Sequence, residues 1–173
     1  MLRRRIIFLL CAAVLVGCET VPQPAEQAAA GPRARLDETG KVYGQSKADF
    51  FVVTEINGKS IKNSLNETFS RNYGHGLTMT PYFLNQDLPA GKPLRVGVMA
   101  RTYYAAPALA MVNDVYQVKG IVEFTPQENG RYIVRGELGE NYSAVWIEDR
   151  ANDAVVGQKV EIKGKAKLGF WDK

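Results

Sequence analysis

Cysteine is absent from the chain after residue 18. The 173 residues include two cysteines, Cys11 within an apolar run and Cys18 at its end. A folded body without cysteine can form no disulfides, carry out no thiol chemistry and hold no cysteine-rich metal site. Its stability must come from an apolar core, which a domain of about 125 residues can form by burying roughly two thirds of its unfolded surface.

Histidine is nearly absent as well, since His75 in the stretch NYGHGL is the only one. A serine or cysteine hydrolase needs a histidine that a carboxylate orients, and no Gly-x-Ser-x-Gly elbow accompanies this one. Zinc usually takes three or four His, Cys or carboxylate ligands. We therefore expect His75 to be an exposed loop residue, and we predict no catalytic residue and no metal site.

Two groups of acidic residues could be considered as sites. Glu148, Asp149 and Asp153 surround the stretch EDRAND, but they lack the ligand order of an EF-hand, so we expect a solvated turn there. Glu137, Glu140 and Glu148 could be proposed as a glycosidase pair, which must face each other across a groove. Spacing within strands cannot show such a groove. The sequence also contains no phosphate-binding Walker loop and no dinucleotide-binding glycine fingerprint.

No apolar run is long enough to span a bilayer, which takes about 20 residues. Arg3, Arg4 and Arg5 precede an apolar run over residues 6–16 that ends in small residues. A positive segment followed by a short apolar segment and small residues is typical of a secretory signal. We therefore assign residues 1–17 to a cleaved signal peptide.

The stretch LVGC, which ends this segment at Cys18, resembles the lipobox of bacterial lipoproteins. The resemblance implies that the Cys18 thiol carries a diacylglycerol, that the signal is cut before Cys18, and that the new amino group is acylated. No other cofactor is expected. Two or three acyl chains hold a protein stably on a bilayer. Because Glu19 rather than aspartate follows, the resemblance implies the outer membrane, with the domain facing the periplasm; an ordinary cleaved signal or a core cysteine is the alternative.

The excess of positive charge is confined to the predicted signal. The 22 lysines and arginines outnumber the 18 aspartates and glutamates, but only 19 remain without Arg3, Arg4 and Arg5. The mature chain is therefore close to neutral. It has no basic stripe with interleaved aromatic residues, and we predict no nucleic-acid binding.

The segment after the lipobox is rich in Pro, Ala, Gln and charged residues. Such a composition buries too little apolar surface to offset its conformational entropy, so we predict a lipidated, disordered tether over residues 18–48. About 30 residues of flexible coil reach about 30 Å on average. Val42 and Tyr43 are also compatible with a first edge strand.

Residues 49–173 have the pattern of a β protein. The Asn57-Gly58 pair between two β-branched and aromatic runs predicts a hairpin over residues 50–63. Apolar and polar residues alternate in most of the later segments, which predicts strands that are buried on one face. We therefore expect a mainly β fold, an antiparallel β-sandwich of seven or eight strands. The further strands are predicted at 76–83, 94–104, 115–124, 131–138, 142–149 and 158–170, with a loop at 84–93.

One short helix is predicted at about residues 64–73. Ser64 and Glu67 are spaced like a capping box, and Gly74 or Gly76 can end the helix. The stretch VYQVKGIVEFTPQENGRYIVRGEL, together with YSAVWIEDRANDAVVG, resembles the terminal strands of small lipoprotein sandwich domains of immunoglobulin-like or transthyretin-like type. That resemblance covers residues 115–157 and implies a fold and no activity.

The connection YYAAPALAMVNDVY, residues 103–116, is unusually apolar for a loop between strands. It could fold over an open end of the sandwich and seal the core. It could instead present an exposed apolar patch, rimmed by tyrosines, to a protein partner. The candidate partner-binding residues are Tyr103, Tyr104, Pro107, Leu109, Met111 and Tyr116.

These features together favour a non-enzymatic, membrane-anchored lipoprotein that serves as an interaction or accessory module of the bacterial cell envelope. Its expected partners are the membrane, through the lipid anchor, and an envelope protein. One alternative is a binder or inhibitor of a cell-wall hydrolase or glycan that uses tyrosines and loop carboxylates. A second alternative is a hydrolase, whose activity would depend on His75.

Overall fold

Two five-stranded sheets face each other across an apolar core in the computed structural model, which describes residues 31–173. The strands are β1 (Arg33–Asp37), β2 (Thr39–Val42), β3 (Lys47–Ile56), β4 (Lys59–Ser60), β5 (Asn85–Pro89), β6 (Leu94–Tyr104), β7 (Gln117–Phe124), β8 (Arg131–Glu137), β9 (Tyr142–Asp149) and β10 (Ala154–Lys163). The first sheet has the order β10-β9-β8-β1-β5. The second has the order β2-β3-β6-β7, and β4 pairs with β3.

The predicted mainly β sandwich is confirmed. Neighbouring strands are antiparallel except β1 and β8, which run parallel with Leu36 opposite Tyr132. Residues 31–173 form ten strands, rather than seven or eight, because three of them lie in segments that the sequence analysis assigned to the tether and to a loop. Asn57 and Gly58 both have positive φ, at 51° and 78°, as the predicted hairpin turn requires.

The main core lies between the sheets. Leu36, Val134 and Ile147 of the first sheet meet Val53 and Val98 of the second, and all five side chains are almost fully buried. Alternation explains this arrangement, because every second residue of a strand points to the same face. Strand β3 is an exception, since its residues are buried on both faces.

The boundary of the domain lies earlier than predicted. Strands β1 and β2 fall within the proposed tether, residues 18–48, and the side chains of Ala34 and Leu36 are buried. In RARLD only Ala34 and Leu36 point toward the core, which is a weak signal for a strand. The strand forms because β8 and β5 pair with β1 on its two sides. The proposed signal peptide, Cys18 and the tether up to residue 30 lie outside the described residues.

Two further strand assignments are corrected. Residues 76–83 form no strand, because their backbone groups form hydrogen bonds with side chains of the first helix. The Asn72 side-chain amide donates to Thr80 O and accepts from Thr80 N. Thr68 Oγ1 accepts from Tyr82 N at 2.9 Å. Strand β5 lies instead in the predicted loop 84–93. It is an edge strand paired only with β1, and this position tolerates Pro89.

The predicted helix is confirmed as α1 (Ser64–Asn72), but the proposed cap is wrong. Asn63 is the N-cap, and it exchanges hydrogen bonds with Asn66 in the capping-box arrangement. A second short helix, α2 (Pro107–Val112), and a 3₁₀ turn (Phe170–Asp172) were not predicted. No helix within residues 31–173 is long and apolar enough to cross a membrane.

Ser64 is not the cap because its backbone N–H and its hydroxyl both donate hydrogen bonds to Glu38, the residue between β1 and β2. Glu38 is 3% exposed, and its carboxylate accepts four hydrogen bonds. Oε1 accepts from Val53 N and Gln86 Nε2, both at 3.1 Å; Oε2 accepts from Ser64 N at 2.6 Å and from Ser64 Oγ at 2.5 Å. Burial raises the pKa of Glu38, although the hydrogen bonds oppose this effect. The carboxylate thus forms hydrogen bonds with β3 of the second sheet, with β5 of the first sheet and with the first residue of α1.

Gly136 in β8 lies where the two sheets approach closely, and we expect Gly136→Ala to destabilise the domain. A Cβ there would lie 2.7 Å from Cε1 of the buried Phe51 ring and 3.0 Å from the Ala144 carbonyl oxygen. Overpacking of this kind typically costs about 1–3 kcal/mol. Chemical denaturation should show the loss, whereas Gly31→Ala, which meets no atom within 4 Å, should leave the midpoint nearly unchanged. Equal midpoints for the two variants would contradict the packing described here.

Candidate functional site

A second, smaller apolar cluster covers the outer face of β3 and β6. Phe50 and Val52 point away from the main core and pack with Met79, Leu65 of α1 and Tyr103 of β6. The rings of Phe50 and Tyr103 meet edge to face, with centroids 6.1 Å apart. Helix α1 therefore lies on the outside of the second sheet and forms one wall of a depression beside it.

That depression is a groove of about 220 Å³ between α1, α2 and the C-terminal end of β6. Its walls are predominantly apolar. Two cationic residues, Arg101 and Lys173, also line it. The other lining side chains include Leu65, Phe69, Tyr103, Pro107, Ala110 and Val115.

Large apolar side chains around the groove are exposed to solvent. Val112 is 80% exposed and Trp171 is 92% exposed. Phe69 of α1 and Tyr73, the residue that follows the helix, have ring centroids 6.2 Å apart. Exposed apolar residues are ordinary when scattered, but several around one apolar groove are typical of a binding surface. We name this set the apolar patch; it comprises Phe69, Tyr73, Met111, Val112, Phe170 and Trp171.

The last described residues contact the end of α2 and strand β6. Lys173 Nζ donates to the carbonyl oxygens of Asn113, at 2.7 Å, and Met111, at 3.4 Å, at the end of α2. Arg101 Nη2 lies 3.5 Å from the carbonyl oxygen of Asp172. These contacts place the 3₁₀ turn, with its two aromatic residues, beside α2 and the end of β6.

Arg101 is the cation at the base of the groove. It is half-buried, and its Nη1 donates to Oε1 of Gln117 on the adjacent strand β7. Burial lowers the pKa of the guanidinium. Within residues 31–173 no carboxylate lies within ion-pair distance of it, and the Asp172 carboxylate points toward Gly169. A partly desolvated arginine with this environment is suited to an anionic group on a ligand.

The three tyrosines of the predicted site lie at this end of the sandwich, but they do not form one rim. Tyr103 and Tyr104 line the groove, and Tyr103 also packs on Phe50 in the outer cluster. The hydroxyl of Tyr104 donates to the Asp114 carbonyl oxygen at 3.1 Å, and that of Tyr116 contacts the Asp114 carboxylate at 3.4 Å. Tyr116 is therefore a residue that fixes the loop rather than one that lines the groove.

The remaining predicted residues belong to α2. Pro107 lies in the first turn of the helix and lines the groove, Leu109 is half-buried and Met111 is 52% exposed. Helix α2 buries none of its six residues. Val115, near the end of the same connection, is 2% exposed, so residues 103–116 contribute to the core at Val115 and leave α2 at the surface.

Sequence reasoning missed four of the six residues of the apolar patch. Phe69 and Tyr73 are four residues apart, a spacing that places side chains on one face of a helix, and this signal could have been noticed. Phe170 and Trp171 were placed in or next to a terminal strand. They lie beside α2 because Lys173 and Asp172 contact α2 and Arg101, which are distant in sequence. No local sequence pattern indicates these contacts.

The side chains of His75 and Glu148, considered above for catalysis, have different surroundings in the structure. His75 is exposed between two glycines, and its carbonyl oxygen accepts from Thr78 Oγ1 at 3.4 Å. Glu148 binds Trp146 Nε1 at 2.7 Å and Arg135 at 3.2 Å. Among residues 31–173, no group of three His, Cys, Asp or Glu residues could hold a metal ion.

A scan against protein-family models finds no match to this chain, and searches of curated proteins and of solved structures also find none.

Proposed function

We propose that the protein is a non-enzymatic, lipid-anchored module of the bacterial cell envelope that binds another envelope protein through the apolar patch. The single observation that supports docking is the group of exposed apolar side chains around an apolar groove. Interfaces commonly combine aromatic and methionine contacts with an arginine in this way. The lipobox at Cys18 supports the anchor, at the outer membrane and on the periplasmic side.

The alternative of a glycan binder has less support. Sugars commonly stack on exposed aromatic faces, and Trp146 is the candidate on the outer face of the first sheet. Its ring is covered by Lys159, whose Nζ lies 4.0 Å from the ring centroid, and its Nε1 is bonded to Glu148. A hydrolase would need partners for His75 that the described residues do not bring to it.

The docking proposal can be tested by photo-crosslinking in the native envelope. In the full chain, Phe69 is replaced by p-benzoylphenylalanine, which keeps an aromatic side chain at the edge of the groove. Val155, which is 45% exposed on β10 in the other sheet, is replaced in the same way as the control position. Irradiation should give a discrete adduct with another envelope protein from position 69 and only background from position 155. Equal yields from both positions, or no adduct from position 69, would argue against docking at the patch.

A further inference from the structure

We infer that the groove between α1 and α2 holds one apolar side chain of an acidic protein segment, with Arg101 as the counter-ion of a neighbouring carboxylate. This inference rests on the proposed docking function and specifies the chemistry of the partner. It combines three observations on the described residues: the apolar walls, the charges at the groove, and the end of the sandwich at which the groove lies.

The size and walls of the groove suit a side chain rather than a larger body. About 220 Å³ has room for one large apolar side chain, enclosed by Leu65, Phe69 and Tyr103 on one side and Ala110 on the other. The exposed residues of the patch then contact the backbone on either side of that side chain. Anchors of this kind contribute most of the affinity of many interfaces.

The charges at the groove favour an anionic segment. Arg101 and Lys173 are the two charged residues that line it. Of the nearby acids, Asp172 directs its carboxylate toward Gly169, and two others are already paired. Glu67 forms ion pairs with Lys62 and Arg71. Asp114 likewise pairs with Lys167 at 2.5 Å. A segment carrying aspartate or glutamate gains an ion pair with Arg101, whereas a basic segment would be repelled.

The position of the groove favours a protein over the bilayer. Strand β6 is 11 residues long, about 34 Å, and the groove lies at its Tyr104 end. The start of β1 lies at the opposite end, where Pro32 O accepts from Ala90 N and Arg33 O accepts from Asn129 N. Cys18 and Arg33 are fifteen residues apart, so the chain between them spans at most about 50 Å. To press the groove against the bilayer, the chain would have to use most of that reach.

The test uses the photoreactive residue at position 69 in the full, anchored chain and adds changes at Arg101. Arg101→Gln removes the charge, and Arg101→Lys restores it. Arg95→Gln is the matched control, because Arg95 lies on the same face at the other end of β6 and pairs with the exposed Glu123 at 3.0 Å. Thermal unfolding of each purified variant verifies that it is folded, and mass spectrometry identifies the crosslinked peptide.

We expect Arg101→Gln to lower the adduct yield at least about tenfold, as for the loss of a partly desolvated charge pair. Arg101→Lys should restore much of the yield, and Arg95→Gln should not change it. The crosslinked peptide should contain aspartate or glutamate beside an apolar residue. A protein adduct that is insensitive to Arg101→Gln would overturn the inference and leave docking intact. An adduct with a phospholipid or a second copy of this chain would overturn the inference, and the absence of any adduct would overturn both proposals.

Discussion

Cys18→Ser is expected to abolish labelling of the protein with palmitate and to leave its signal uncut. Serine has no thiol to accept the diacylglycerol, and the cut before residue 18 depends on that modification in the lipoproteins that the LVGC stretch resembles. Each buried methylene contributes about 0.8 kcal/mol, so the loss of two or three acyl chains removes essentially all membrane affinity that the anchor supplies. Labelling of cells with radioactive palmitate, with separation of the precursor from the shorter mature chain by mass, measures both effects.

Cys11→Ser is the matched control for this change. Cys11 lies inside the apolar run, lacks the preceding glycine and belongs to the segment that we assign to the discarded signal. Its substitution should leave lipid labelling and location unchanged. If Cys18→Ser keeps the palmitate label, or Cys11→Ser loses it, the lipobox assignment does not hold.

Glu38→Ala is expected to destabilise the folded domain strongly, by about 2–6 kcal/mol. The change leaves the buried N–H groups of Val53 and Ser64 without acceptors, and each unsatisfied group of this kind costs about 1–3 kcal/mol. A typical domain has about 5–15 kcal/mol in total, so the variant should unfold at a markedly lower denaturant concentration. The exposed Glu123→Ala, which removes a surface ion pair, should change the midpoint little.

Glu38→Gln removes the titration of this carboxyl and keeps a side chain of nearly the same shape, although its amide nitrogen cannot accept the hydrogen bonds that one carboxylate oxygen accepts. Because the pKa of Glu38 is raised in the folded protein, the folded state binds a proton at a higher pH than the unfolded state does. As the pH falls from the raised pKa of Glu38 toward the pKa of a glutamate in the unfolded chain, proton binding by Glu38 therefore stabilises the folded wild type. Glu38→Gln has no carboxyl at this position and lacks this stabilisation. The free energy of unfolding of the wild type, minus that of the variant, should increase over this window. A difference that stays constant with pH would contradict the buried carboxylate.

The strands with clear alternation could be predicted from the sequence. Residues 94–104 and 131–138 alternate between apolar and polar residues, and the structure places them in β6 and β8 with the expected faces inward. The hairpin turn at Asn57 was predictable for a local reason, since positive φ is strained for most other residues. In each case the signal lies within about ten neighbouring residues and needs no distant partner.

Strand β1 could not be predicted because its stability comes from its neighbours. Its stretch RARLD follows a polar, proline-containing segment and resembles it in composition. Pairing with β8 on one side and β5 on the other buries Leu36 completely. The same reason applies to the false strand at 76–83, where hydrogen bonds from α1 take the place of a sheet partner.

The candidate site was predictable only where it is continuous in sequence. The apolar composition of residues 103–116 drew attention to α2, and Pro107 and Met111 do lie at the groove or its edge. Phe69 comes from a helix more than thirty residues earlier and Trp171 from the last described turn. Only the three-dimensional fold brings them together around Arg101, so no local pattern could have indicated the groove.

The intact mass of the mature protein, extracted from membranes in detergent, tests the central claim most directly. The account predicts a chain that begins at Cys18 and is heavier than residues 18–173 by a diacylglycerol on the sulfur and one acyl group on the nitrogen. Delipidation by mild hydrolysis of the esters should then leave the acylated chain. An unmodified chain beginning at or near residue 18, or one that retains residues 1–17, would contradict the lipid anchor and the orientation argued from it.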